Sequence, residues 1–406
     1  MTALPQTLPD NIAISRLADE LLVLEAVSEL LQRRRVLGSG HLDHLVLARA
    51  YELLDSGWSL PPNFVSFPQP DARSHQTLIA ITNAGPCHLR VTSLDANLLS
   101  GVLVHVEHID RSDGSHQGAV EPYRIPDPRN AARVRFHIGN AAPCSIYVGA
   151  PFFEENFANG FLKATHSLAA TCTAFFQMGY AECKINCAGL TVSQSTALMR
   201  AVAERTIRRP HKKQLLSAAF NLNTVLLDDT EGVAREYSTP AEIAKRSVGV
   251  VVSGGFDKIT WDSASLSVPS SCVFELLSHR ALVEATHLAH ANGLETYVSG
   301  GVTHRSVVHG VNAGLGGIGV GTSLHFVDDN GQVGALMKQS VKEVLRARDE
   351  ASNSDLGRIA AMLAVADRKH AEKSDHPLVA RRDDLLEALI YRKPRLITSL
   401  LTHSIR

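Results

Sequence analysis

Between residues 144 and 325 the chain repeatedly alternates short apolar segments with longer helical ones. CSIYVGAP precedes ENFANGFLKATHSLAATCTAFFQMG, and AECKINCAG precedes STALMRAVAERTI. QLLSAAFNLN leads to TPAEIAKRSVGVVVSGG, FDKITWDS to SHRALVEATHLAHANG, and ETYVSGG to HRSVVHGVNAG, with GGIGVGTSL ending the series. Short βα repeats of this kind imply a parallel sheet with right-handed crossovers. Gly293, Gly314 and the pair Gly254–Gly255 fall where helix C-caps belong. Six units are legible, and a closed (β/α)8 barrel needs eight strands. The other two can come from the β-rich stretch before residue 144 or from the tail. An incomplete barrel and an open doubly wound sheet are the alternatives.

The flanking regions have a different character. Residues 1–60 carry apolar residues at three- and four-residue spacing and read as helical. Residues 61–143 read as a proline-rich linker and a β-rich region, with TLIAIT, HLRVTS, GVLVHVEHI and ARVRFHIG as strand-like segments. Residues 144–334 form the catalytic barrel in this reading, and residues 335–406 a charged, helical tail broken at His376-Pro377. Helical segments at both ends are compatible with a homodimer.

Charge is nearly balanced, at −1, which gives no sign of a nucleic-acid partner. The basic runs Arg33–Arg35, Arg208-Arg209 and Lys212-Lys213 are short enough to be solvated helix ends or loops. No apolar stretch approaches the roughly 18 residues of a membrane span, and MTALPQTLPDN has no export-signal pattern. Six cysteines without a CxxC pair fit reduced, buried thiols in a cytoplasmic protein. Cys183 and Cys187 lack a nearby second ligand pair, so no metal site is expected there. Asp228-Asp229 could hold Mg²⁺, but helix capping is the preferred reading. His41/His44, His105/His108 and His287/His290 are i,i+3 pairs. The first and last lie on helical segments and could be ligands, but the sequence places no third ligand, and surface or core histidines are the preferred reading.

The chemistry is suggested by two lysines. In AECKINCAG, Glu182, Lys184 and Asn186 share one face and Cys183, Ile185 and Cys187 the other. In FDKITWDS, Lys258, Thr260 and Asp262 oppose Ile259 and Trp261. A polar strand face suits a pocket where an amine meets a carbonyl or a phosphate. Two close amines depress each other's proton affinity, leaving Lys184 as nucleophile and Lys258 as its partner or proton shuttle. Glu182 and Asp262 are candidate proton carriers. A structural ion pair joining Lys258 to Asp262 or Glu182 is the plainer alternative.

YVSGGVTHRSVVHGVNAGLGGIGVGTSL resembles the terminal phosphate-binding units of flavin- and phosphosugar-handling TIM barrels. The resemblance implies a phosphate held by Gly300, Gly301, Gly319, Gly321, Thr322 and Ser323, after strands seven and eight. His304, Arg305, His325 and Asn186 are further candidates for the pocket. The succession AECKIN, SAAFNLN, AEIAKRSVGVVVSGGFDKITW and GLETYVSGG also resembles (5-formylfuran-3-yl)methyl phosphate synthase. That family's acid-x-lysine on its second strand matches Glu182 and Lys184, and its fourth-strand lysine matches Lys258. Its later aspartate has no counterpart near Gly321 and His325. That comparison makes GVGTSL strand six, whereas the phosphate-site comparison makes it strand eight.

The resulting expectation is a biosynthetic α/β-barrel enzyme of lyase or aldolase type. It acts on a small phosphorylated carbonyl compound through a lysine Schiff base or an enolate. No cofactor is predicted. An FMN- or nucleotide-binding oxidoreductase using the same anion site, and a non-catalytic barrel with an N-terminal assembly module, are the alternatives.

Overall fold

The computed structural model describes residues 75–82, 94–105, 124–138, 141–153, 155–209, 212–263, 271–329 and 333–402. The helical expectation for residues 1–60 and the HLRVTS segment lie outside them.

In chain order the strands are β1 (Leu78–Thr82), β2 (Gly101–Val104), β3 (Cys144–Tyr147), β4 (Glu182–Asn186) and β5 (Leu215–Asn221). They continue with β6 (Leu226–Asp228), β7 (Arg235–Tyr237), β8 (Lys258–Asp262), β9 (Glu295–Val298), β10 (Gly317–Val320), β11 (His325–Val327) and β12 (Val333–Leu336). Strands β1 to β5 and β8 to β10 close into an eight-stranded barrel, and every neighbouring pair is parallel. The pairs β6–β7 and β11–β12 are antiparallel hairpins outside it.

The two strands missing from the six-unit series are therefore β1 and β2, from TLIAIT and GVLV in the region before residue 144. GIGV is the eighth barrel strand, as the phosphate-site comparison requires and the synthase comparison does not. Lys184 and Lys258 accordingly stand on the fourth and sixth barrel strands, not the second and fourth.

ARVRFHIG is a correction: it is not a strand but part of helix α1 (Pro128–Ile138). Its alternation of apolar and basic residues imitates a half-buried strand. Asp127 and Pro128 start the helix, with the Arg129 N–H donating to Asp127 Oδ1 at 2.7 Å. Ala131, Val134, Arg135 and Ile138 are buried at helical spacing, and Arg135 Nε donates to Gly179 O at 2.8 Å. One of the apparently outward arginines is thus an interior group with a partner.

The other helices are α2 (Phe157–Gln177), α3 (Val192–Arg205), α4 (Pro240–Gly254), α5 (Val273–Leu276), α6 (His279–Ala291), α7 (Val307–Asn312), α8 (Lys338–Asn353), α9 (Asp355–Ala371), α10 (Arg382–Tyr391) and α11 (Pro394–Thr402). Sequence-coded stops hold at Gly255, Gly293 and Gly314, whose φ angles are 72°, 79° and 76°. Asp229 accepts from the Ser193 N–H at the start of α3, as the capping reading has it, whereas Asp228 pairs with Arg246 of α4 instead of capping a helix.

Outward strand residues such as Ile79, Ile146, Cys183, Ile185, Ile259, Trp261, Val298 and Ile318 form the main core with the helices. Cys144, Cys172, Cys183, Cys187 and Cys272 are buried and free. Burial pushes the Cys187 thiol up to about 12, so it is an inert packing group. No described helix is long and apolar enough to cross a membrane.

Candidate active site at the carboxyl end of the barrel

The polar phase of β4 and β8 faces the barrel interior, because the opposite phase belongs to the helix-packed core. Lys184 and Lys258 are both buried there. Register explains their neighbours. Glu182 lies beside Ser145 of β3, Lys184 beside Tyr147, and Lys258 lies two strands from Lys184 across Ser217.

Two separate ion pairs stand where the sequence suggested a coupled pair of amines. Deep in the barrel, Lys258 Nζ donates to Glu182 Oε2 at 2.8 Å, and Ser145 Oγ donates to the same oxygen at 2.7 Å. Nearer the mouth, Lys184 Nζ donates to Asp262 Oδ2 and to Ser299 Oγ, each at 3.1 Å. Ser299 Oγ also donates to Asp262 Oδ2. The deep pair is closed off, at 4% and 3% side-chain exposure, whereas Asp262 is 25% exposed beside a 3% exposed Lys184. Solvent therefore reaches the second pair through its carboxylate.

Tyr147 and Tyr297 wall this polar centre. With Ala80 and Leu103 they form a small apolar cluster separate from the main core. Lys184 Nζ lies 5.2 Å from the Tyr147 ring centre, and Lys258 Nζ lies 4.4 Å from that of Tyr297. Arg124 Cζ also lies over the Tyr147 ring, 5.4 Å from its centre. The Tyr297 hydroxyl is buried without a hydrogen-bond partner among the described residues. Burial, with Glu182 and Asp262 nearby, pushes its pKa well up, so it stands as a neutral phenol.

The expected phosphate residues divide by position. Gly300 and Gly301 form the loop after β9, with φ of 101° and 60°. A Cβ on Gly300 would also collide with the Ser263 hydroxyl and stand 2.9 Å from Asp262 Oδ1. Gly321 opens a single 3₁₀ turn over Thr322–Leu324, and Ser323 Oγ donates to Val302 O at 2.7 Å, tying the loops after β9 and β10 together. Gly319 lies within β10 and faces Tyr297: a Cβ there would sit 3.0 Å from Tyr297 Cζ and closer still to its oxygen. The Tyr297 ring accounts for that glycine.

Asn186 Oδ1 accepts from the Ala188 N–H at 2.9 Å, shaping the loop after β4. His304 and Arg305 are exposed in the loop after β9. His325 is buried, and its Nδ1 lies 3.1 Å from Gly334 O in the β11–β12 hairpin. Sequence reasoning missed Ser145, Tyr147, Tyr297, Ser299 and Arg124. All but Arg124 occupy the inward phase of segments already read as strands or strand ends, and that phase was the available signal.

No family model matches the sequence, and no curated protein matches it. Phosphoribosyl anthranilate isomerase from Thermotoga maritima is among the solved structures of similar fold. The match is 11% identical with a TM-score of 0.41, and it covers 68% of this chain and 100% of that one. The carboxyl transferase domain of Rhizobium etli pyruvate carboxylase matches at 13% identity and a TM-score of 0.39, over 84% of this chain and 64% of that one. Likenesses this distant assign no role to any residue.

Proposed function

We propose that the barrel is an enzyme acting at its carboxyl end on a small phosphorylated carbonyl compound, by lyase or aldolase chemistry. The observation that supports this reading is Lys184, a buried ammonium whose only partly covered neighbour, Asp262, faces the opening. A carbonyl compound entering there meets the amine and a proton acceptor together.

In this reading Lys184 Nζ passes a proton to Asp262 and attacks the carbonyl carbon. The C–N bond forms as the carbonyl π electrons move to oxygen. Asp262 returns its proton to that oxygen, then takes a second from the nitrogen and passes it to the resulting hydroxyl. Water leaves as the C=N bond forms, and the iminium draws electrons from the adjacent C–C or C–H bond. Ser299, bonded to both partners, keeps the carboxylate and amine aligned. Tyr297 has an uncommitted hydroxyl proton for the substrate oxygen. The Lys258–Glu182 pair lies beneath and serves as a fixed electrostatic floor. Gly300 and Gly301, with Gly321, Thr322 and Ser323, would receive the phosphate through backbone N–H groups.

Turnover of a panel of phosphorylated aldehydes and ketones tests the reading, with Lys184→Met as the control. Conversion that requires Lys184 supports it. Conversion that survives Lys184→Met, or none across the panel, contradicts it.

A further inference from the structure

At the opposite end of the barrel, the last turns of α6 bring His287 and His290 against Asp367 of α9. All three side chains are buried. One donor atom from each lies within 4.8 Å of the other two. We infer that these three residues form a binding site for a divalent transition metal of the zinc class, clasping the C-terminal helices to the barrel.

The hydrogen bonding leaves the ring nitrogens with unmet capacity. His287 Nδ1 is 2.6 Å from Asp367 Oδ2, and a carboxylate only accepts, so Nδ1 carries the proton. The His287 Nε2 is then a lone pair, buried and without a partner among the described residues. His290 Nε2 is 2.8 Å from Thr296 Oγ1, which already accepts from the Gly316 N–H at 3.0 Å. The His290 Nδ1 is buried and likewise has no partner among the described residues. A buried polar atom left without a partner is destabilising unless something fills it.

The geometry suits one ion between the rings. Their centroids are 5.5 Å apart at an interplanar angle of 86°. Two imidazoles on one tetrahedral ion, each bound at about 2.0–2.1 Å, place their centroids roughly 5–5.5 Å apart. Asp367 accepts from the His287 Nδ1–H and fixes that ring, as the carboxylate partner of a metal-bound histidine does, so that Nε2 is the donor. Arg382 Nε holds Asp367 Oδ1 at 2.5 Å, which leaves Oδ2 to face the histidines. His287 Nε2 and His290 Nδ1 are imidazole donors that suit zinc or its neighbours, not calcium or magnesium. Water completes the shell, or His75, whose ring centre is 6.2 Å from that of His290.

The site is separate from the mouth that holds Lys184. Thr296 is at the start of β9, and Gly316 immediately precedes β10, so the cluster lies at the amino end of the strands. The chemistry of such barrels sits at the carboxyl end, so an ion at the amino end is structural in this account.

The test is titration of the metal-free full-length chain with Co²⁺ and Zn²⁺, read by cobalt visible bands, stoichiometry and thermal unfolding. The inference expects one tight tetrahedral Co²⁺ per chain and a higher melting temperature with Zn²⁺. It also expects His290→Ala, folded by circular dichroism, to bind about 100-fold more weakly or worse. X-ray absorption on the wild-type zinc complex needs no variant and is expected to show two imidazole ligands. No stoichiometric binding overturns the inference. So does a bound zinc without two imidazoles, or binding unchanged in His290→Ala.

Discussion

Lys184 and Asp262 meet across the barrel mouth at 3.1 Å, with the lysine enclosed and the carboxylate open to solvent. This asymmetry distinguishes them from Lys258 and Glu182, which are closed off together. A substrate can reach Asp262 without disturbing the deeper pair. The two lysines, similar in sequence, therefore have different prospects.

Asp262→Asn removes the proton acceptor but keeps the shape and a hydrogen-bonding oxygen. If Asp262 carries the proton, turnover of any substrate found for the wild type falls by about 10²–10⁴-fold. Substrate binding, measured by calorimetry, changes far less. Equal losses in binding and turnover would make Asp262 a binding group only.

Lys258→Met is expected to cost stability more than chemistry. It leaves the Glu182 carboxylate buried without its ammonium, a loss of about 3–5 kcal/mol in urea unfolding. Adding Glu182→Gln removes the stranded charge and recovers a large part of that loss. A single substitution that leaves the urea midpoint unchanged would contradict the buried-pair account.

Gly319→Ala is expected to destabilise by about 1–3 kcal/mol, because the new methyl group meets the oxygen and Cζ of Tyr297. Tyr297→Phe removes the oxygen and an unpartnered buried hydroxyl, so on its own it costs little or stabilises. The double variant should be more stable than the sum of the single changes implies. Strict additivity would show that the ring does not explain the glycine.

Glu295 joins Lys213 and Arg368 at 2.6 and 3.1 Å. Burial raises its pKa, but the two cations outweigh that and hold it down at about 2, against an ordinary 4.5. A depressed carboxyl pKa stabilises the fold above the unfolded value, and the contribution is lost as pH falls from about 4.5 through about 2. Glu295→Gln should therefore lower stability at pH 7 by on the order of 2 kcal/mol, and the gap from wild type should close in acid. A gap that is constant with pH would contradict this linkage.

Much of the barrel was legible because βα periodicity is local. The inward phase of Lys184 and Lys258 follows from alternation alone, and the glycine stops follow from backbone geometry. The first two barrel strands were legible as segments but not as barrel members, since a strand's neighbours are set by long-range pairing. Gly317, for example, pairs with Leu78 across more than half the chain. The helix at Pro128 was misread because Arg135 is buried, and burial of an arginine depends on the distant Gly179 carbonyl. The lysine partners were hidden for a similar reason. Asp262 was already a candidate, but its pairing with Lys184 rather than Lys258 depends on how far each residue lies along the tilted strands. Asp367, the third member of the histidine cluster, comes from a helix 80 residues beyond His287, and no local pattern announces it.

Borohydride trapping tests the central role of Lys184 most directly. The protein is reduced in the presence of phosphorylated aldehydes and ketones, and adducts are located by intact mass and peptide mapping. The account predicts a single stable adduct on Lys184 that Lys184→Met abolishes. An adduct on Lys258 instead, or turnover of a substrate with no trapped adduct, would contradict it.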